Sequence, residues 1–214
     1  MNKFISIIIC IIFSLIFTQP SEASPQQESY KAHALTVVVQ SLLDSNQAGI
    51  GAGVIVSQER DLITVISADH ILMSNRIQVV DDRHHNMPVV NVRHFHDDFA
   101  FITARVMDGR VFPITTFGTP VEGRVVFLYG HPAGKWWEFA AGSVLHKMAH
   151  VPLSSSKAPS FSIDCPTCDH GDSGAGVFDE EGHLLGVITS AWIDAHGNKL
   201  FIQVMKVGPE MQVY

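Results

Sequence analysis

From residue 24 onward the chain never sustains an apolar stripe at 3.6-residue spacing. Its apolar residues come instead in short runs: Leu35–Gln40, Gly51–Ser57, Leu62–Ser67, Ile77–Val80, Val89–Val92 and Phe99–Val106, then Arg124–Tyr129, Phe139–Lys147, Ser160–Ile163, Gly176–Phe178, Leu184–Ser190 and Leu200–Val204. The runs are rich in Val, Ile and Phe, and Gly, Pro, Asp, Asn and Ser bound them. That pattern predicts short strands separated by turns, hence an all-β sandwich or barrel. A break near Asp108–Pro120 divides the body into halves of similar size, and no 20–50-residue repeat is visible. With 46% hydrophobic and 16% charged residues the chain can build a core and is too apolar to be disordered. Lys and Arg total 14 against 21 Asp and Glu, a net charge of −7, which argues against nucleic acid as a partner. No run of five like charges provides a polybasic arm for a membrane surface.

The first 23 residues read as a secretory signal peptide. Lys3 supplies a positive start, residues 4–18 are almost wholly apolar, and Ser21-Glu22-Ala23 gives a small-residue cleavage pattern. The apolar run is short for a membrane span, which needs roughly 20 residues. Cleavage after Ala23 implies a secreted or periplasmic protein with no membrane contact once the signal is gone. Cys10 lies inside the signal, which leaves Cys165 and Cys168 in Cys165-Pro166-Thr167-Cys168. In an oxidising compartment a small disulfide ring is the favoured reading over free thiols. A redox or metal motif is less well supported, since no helix pattern follows and no second Cys-x-x-Cys exists.

Three short segments carry chemistry. Gly171-Asp172-Ser173-Gly174 presents a serine between glycines, on a turn where backbone N–H groups can approach a substrate carbonyl. A serine nucleophile needs a base and a group that orients the base. His70 stands where Leu62–Ser67 runs out into Ala68-Asp69-His70-Ile71, and Asp98 opens the alternating run Phe99-Ala100-Phe101-Ile102, with Asp97 as the rival position. Taken singly, each has a plain alternative: a hairpin turn, a strand-end histidine, an acidic strand entry.

Together, in the order His…Asp…Ser, they resemble the chymotrypsin/trypsin-like serine proteases, and the match extends beyond the triad. Gly51-Ala52-Gly53-Val54-Ile55-Val56 looks like the strand before the histidine. Gly130-His131-Pro132-Ala133-Gly134, followed by Gly142-Ser143-Val144, looks like a segment of HtrA/Deg-like members. Gly182-His183-Leu184-Leu185-Gly186-Val187-Ile188-Thr189 looks like the strand that returns after the nucleophile. The resemblance spans roughly residues 35–207 and implies two six-stranded antiparallel β-barrels with the active site in the cleft between them. The expected division is a signal at 1–23, an N-terminal segment at 24–34, a first barrel at 35–115 carrying His70 and Asp98, and a second at 116–214 carrying Ser173. It also implies a serine endopeptidase with a catalytic triad of His70, Asp98 and Ser173, acting on protein or peptide substrates. The oxyanion hole would use the N–H groups of Gly171 and Ser173, and no cofactor or metal is expected.

The departures from that family are informative. No Ile-Val-Gly-Gly-like start follows a basic cleavage site, so Asp172 would need a partner other than a freed amine, and trypsin-style zymogen activation is not expected. The usual cysteine after the catalytic histidine is absent, and Ser67 and Asp69 replace the commoner Thr and Ala. The chain ends at Tyr214, which leaves no room for a PDZ domain. By motif position Thr167 would lie at the base of the specificity pocket, His170 at its entrance, and Ser190, Ala191 and Trp192 along the wall facing the substrate backbone. No Asp stands where trypsins select Lys or Arg, and Ala191 in place of Gly narrows the pocket. Small or medium apolar side chains are the first expectation, and glutamate the second.

Among the 12 histidines, His84-His85 and His94-x-His96-Asp97 have strand spacing suited to a metal, but no third ligand set is evident. Trp136-Trp137 is expected at a hairpin tip, packed on the barrel rather than on substrate or membrane. Two other functions compete with the endopeptidase. One is a non-catalytic, protease-like binding module (a pseudoprotease), marked by a collapsed oxyanion hole. The other is an esterase-type serine hydrolase, which would normally show Gly-x-Ser-x-Gly on an α/β sheet.

Overall fold

The computed structural model describes residues 25–43, 48–95, 98–146 and 159–209. The signal peptide expected at 1–23 lies outside these residues, as do His96 and Asp97. Strands dominate, as the sequence predicts. The first half contains β1 (Thr36–Leu42), β2 (Ala48–Glu59), β3 (Leu62–Ala68), β4 (Ile77–Val80), β5 (Asn86–Met87), β6 (Val89–His94) and β7 (Phe99–Arg105). The second contains β8 (Val125–Gly130), β9 (Glu138–His146), β10 (Ser160–Asp164), β11 (Gly176–Asp179), β12 (Leu184–Ile193) and β13 (Lys199–Lys206).

Among the described residues the first unit is a seven-stranded antiparallel sheet, ordered β5-β4-β1-β2-β3-β7-β6, which curls until β4 lies against β6. Beside the six expected strands it carries β5, a two-residue strand paired to β4 (Val79↔Met87) and too short to show as an apolar run. The second unit closes as a six-stranded barrel, β10-β13-β12-β11-β8-β9, as expected. Most buried residues of the strands lie within the predicted apolar runs. Val37, Val39, Val54, Ile63, Val65 and Ile102 fill the first core, and Val126, Leu128, Phe161, Ile163, Val177 and Val204 the second. Full burial of each such side chain contributes roughly 1.5–3 kcal/mol.

One element departs from the sequence reading: residues 25–35 form a helix, α1 (Pro25–Leu35). Its sequence PQQESYKAHAL has no apolar stripe, and among its described side chains Ala32, Ala34 and Leu35 are the buried ones. Tertiary contacts fix it instead. Ser29 Oγ and Tyr129 Oη of β8 share a 2.6 Å hydrogen bond, and Thr36 Oγ1 donates to the Ala32 carbonyl at 2.9 Å. The helix therefore runs straight into β1 of the first unit while resting on the second.

The two units share a seam. Phe127, Phe178, Leu184 and Val187 of the second pack in one cluster with Val54, Val56 and Ile66 of the first, while Ala52 of β2 joins the core of the second. The cleft opens along this seam.

Candidate active site

At the end of β3 the chain turns through one 3₁₀ turn, Asp69–Ile71, pinned by the buried Ile71. The turn is tied to the start of β7: Asp69 N–H donates to the Asp98 carbonyl at 3.1 Å, and His70 N–H to Asp98 Oδ1 at 3.0 Å. Asp98 itself has φ +59°, a left-handed conformation that aspartate tolerates better than most residues. Its carboxylate also takes the imidazole, with His70 Nδ1 at 2.9 Å from Oδ2 and 3.1 Å from Oδ1. A carboxylate accepts only, so Nδ1 carries the proton and Nε2 is left with a lone pair. The hydrogen bond to Asp98 raises the His70 pKa above 6.5; partial burial opposes it, and the charges of Asp98 and Asp69 add to it. Asp69 is itself paired with His94 Nδ1.

The loop around Ser173 is held by stereochemistry. Gly171 has φ +105°, and a Cβ there would collide with the His131 carbonyl; Gly174 has φ +87°, and a Cβ there would collide with the Ala52 carbonyl. Ala52 N–H donates to the Ser173 carbonyl at 2.8 Å, and the buried Ser67 donates Oγ–H to the Ala52 carbonyl at 2.6 Å. The serine in place of the commoner Thr thus braces β2 beneath the loop. Among the described residues, neither the Gly171 nor the Ser173 N–H donates to a protein acceptor.

Asp172 is 2% exposed and lies over Gly130, where any side chain would displace it. Its Oδ2 accepts the Asp169 N–H at 2.8 Å, while Oδ1 makes no hydrogen bond of full geometry. Burial raises its pKa above the usual carboxylate value, against smaller lowering by the Asp169 and His131 N–H groups and by Lys199. The partner expected for Asp172 is therefore a backbone amide.

His70, Asp98 and Ser173 line one cleft of about 700 Å³. Thr167, His170, Ser190 and Ala191 line it with them. Trp192 is not on that lining; it stacks on Phe201 with ring centroids 5.6 Å apart and donates Nε1–H to Gln203 Oε1 at 3.2 Å, the oxygen that also takes the Ser190 hydroxyl. Cys165 and Cys168 form the expected disulfide, both buried, and Cys168 reaches the cleft. Sequence reading missed Lys199, whose Nζ crosses to the loop and donates to the carbonyls of Pro166 (2.9 Å) and Cys168. No local signal marks it, because the contact spans more than 30 residues of sequence.

The other singled-out residues pack or pair. His84 stacks on Trp136 at 5.4 Å; His85 faces Asp108 at 3.2 Å; Trp137 sits edge-on to His131 and donates Nε1–H to the Thr36 carbonyl at 3.3 Å. His131 is fully buried: its Nδ1 accepts the Trp137 N–H, so Nε2–H donates to the Val37 carbonyl, and burial pushes its pKa down to about 4. Among the described residues, Asp179, Glu181 and His183 gather their ligating atoms within 4.8 Å, but Asp179 already accepts the N–H groups of Glu181 and His183 as a turn-former.

Residues 51–187 match the trypsin-like peptidase domain family. A search of curated proteins finds no match. Among solved structures the chain is similar to the serine endoprotease from Yersinia pestis, with TM-score 0.70 and 18% identity over 91% of this chain and 66% of that one. It is similar to the HtrA-type protease AlgW with tripeptide, at TM-score 0.73 and 18% identity, covering 89% of this chain and 62% of that one. A protease from M. tuberculosis in its active form gives TM-score 0.70 and 19% identity over 92% of this chain and 90% of that one. The chain thus spans 62–66% of the length of the first two, and at these identities the likeness carries the fold.

Proposed function

The chain belongs to the trypsin-like peptidase domain family, and on that footing we propose that it hydrolyses peptide bonds as a serine endopeptidase through Ser173, His70 and Asp98. Ser173 Oγ attacks the scissile carbonyl carbon while His70 Nε2 takes the hydroxyl proton. The C=O π pair moves onto oxygen, and the N–H groups of Gly171 and Ser173 receive that oxyanion. Collapse breaks the C–N bond; His70 returns the proton to the leaving amine, and an acyl-enzyme remains. Water then attacks the ester, its proton passing to Nε2 and back to Oγ as the acid leaves. Asp98 stays ionised, fixes the imidazole tautomer and stabilises the imidazolium. Thr167, His170, Ser190 and Ala191 contact the substrate.

The observation that carries this reading is the two-oxygen hold of Asp98 on His70 Nδ1, in the same cleft as Ser173. The two undonated N–H groups of the nucleophile loop support it against a non-catalytic module. A fluorophosphonate probe tests it: wild type is labelled, and Ser173→Ala and His70→Ala are not. Equal failure of all three folded proteins would leave a protease-like binding module.

The apolar N-terminus supports export to a secreted or periplasmic destination. No helix among the described residues is long and apolar enough to cross a membrane. N-terminal sequencing of the exported protein tests cleavage after Ala23; an uncut chain contradicts it.

A further inference from the structure

Lys199 opens β13 opposite Ile193 at the end of β12. Its ammonium leaves that hairpin and is anchored on the carbonyls of Pro166 and Cys168, which flank Thr167 within and beside the disulfide ring. A cation is thereby held on the lining of the cleft, beside Thr167. An ammonium has three donors. Two are taken by backbone carbonyls, which leave its charge uncancelled, and one remains. Around it the cleft has apolar walls from Ile188 and Ile202 and hydroxyls from Thr167 and Ser190.

Among the described residues, no carboxylate on the lining is hydrogen-bonded to the Lys199 ammonium. Asp98 is on His70, and Asp169 Oδ1 takes the His170 N–H at 2.7 Å. Asp172 is buried beneath its own loop, with Oδ2 on the Asp169 N–H. A substrate cation entering here meets Lys199 as a like charge. An apolar side chain strips water from the ammonium and returns nothing. A carboxylate on a methylene stem lies along the isoleucines and completes the third donor with a charge-assisted hydrogen bond.

We propose that Lys199 selects substrates carrying an acidic residue on the amino side of the scissile bond. This rests on the Ser173–His70 reading above. The competing role for Lys199 is structural, as an anchor for two carbonyls and a countercharge near Asp172.

The test uses protein purified from expression of the whole sequence, with matched peptide substrates bearing Glu, Gln, Leu or Lys before the cut. Fluorophosphonate labelling is followed in the same preparations. Wild type is expected to cleave the Glu peptide about tenfold to a hundredfold better than the Gln peptide in kcat/KM. Lys199→Gln loses that preference, its Glu rate falling at least tenfold more than its Leu rate or its labelling; Lys199→Arg retains it. The inference is overturned if wild type is labelled but cuts Leu as well as Glu, or if Lys199→Gln slows every peptide and the labelling by one common factor. Absence of labelling in folded wild type overturns the catalytic reading and this one with it.

Discussion

The two barrels hold their halves of the site by different physics. In the first, two side-chain oxygens of Asp98 capture both the backbone and the ring of His70, so the hold is electrostatic and sits near solvent. In the second, Ser173 is positioned by two glycines at positive φ whose missing side chains let carbonyls approach, and by a strand from the other barrel. A charge-held group responds to one atom and to pH; a sterically held one responds to volume.

Substitutions separate the two modes, the largest effect first. Asp98→Asn keeps the shape but turns an acceptor into a donor toward Nδ1, which reverses the tautomer; kcat is expected to fall about 10⁴-fold. A loss below tenfold would mean that His70 is held by packing. Next, Gly171→Val cannot take φ +105° beside the His131 carbonyl and should forfeit one oxyanion donor, about 10²–10³ in kcat with the fold retained by circular dichroism.

The buried and exposed histidines give the pH version of the contrast. His131, lowered to about 4, contributes stability that is fully present above its unfolded pKa near 6.5 and is lost as pH falls between them. The difference is on the order of 3 kcal/mol. His131→Gln should flatten the urea-stability profile between pH 7 and 4, and parallel profiles would refute the assignment. His70, raised by Asp98, has the opposite sign. Its stability contribution is complete below 6.5 and fades as pH rises through the raised value, whereas activity, which needs neutral Nε2, is lost as pH falls through it. The smallest effect is the ring: replacing both Cys165 and Cys168 by serine should cost about 2 kcal/mol by loop-closure entropy, read as a lower urea midpoint. A specificity change accompanying that loss would tie the ring to the Lys199 anchor.

Most strands, and the three segments that the fold brings to one cleft, were legible because each depends on local pattern: period-2 alternation, a strand running into Ala-x-His, a serine between glycines. What escaped depends on partners distant in sequence. α1 is polar along its length and is defined by Tyr129 and Thr36; β5 exists only through its pairing with Val79 and Val80. Lys199 reads as an ordinary hairpin lysine until the fold brings Pro166 and Cys168 to it. Trp192 has the spacing of a wall residue, yet Phe201 on the neighbouring strand takes its ring.

The bond from Ala52 N–H to the Ser173 carbonyl also has a bearing on synthesis. Ribosomes release the first barrel, with His70 and Asp98, before Ser173 has been made. Ser173 arrives later, and its carbonyl finds the Ala52 N–H of β2 already made. On the proposed triad a half-made chain would be chemically silent, and cutting activity would serve as a receipt that both halves have been completed and docked.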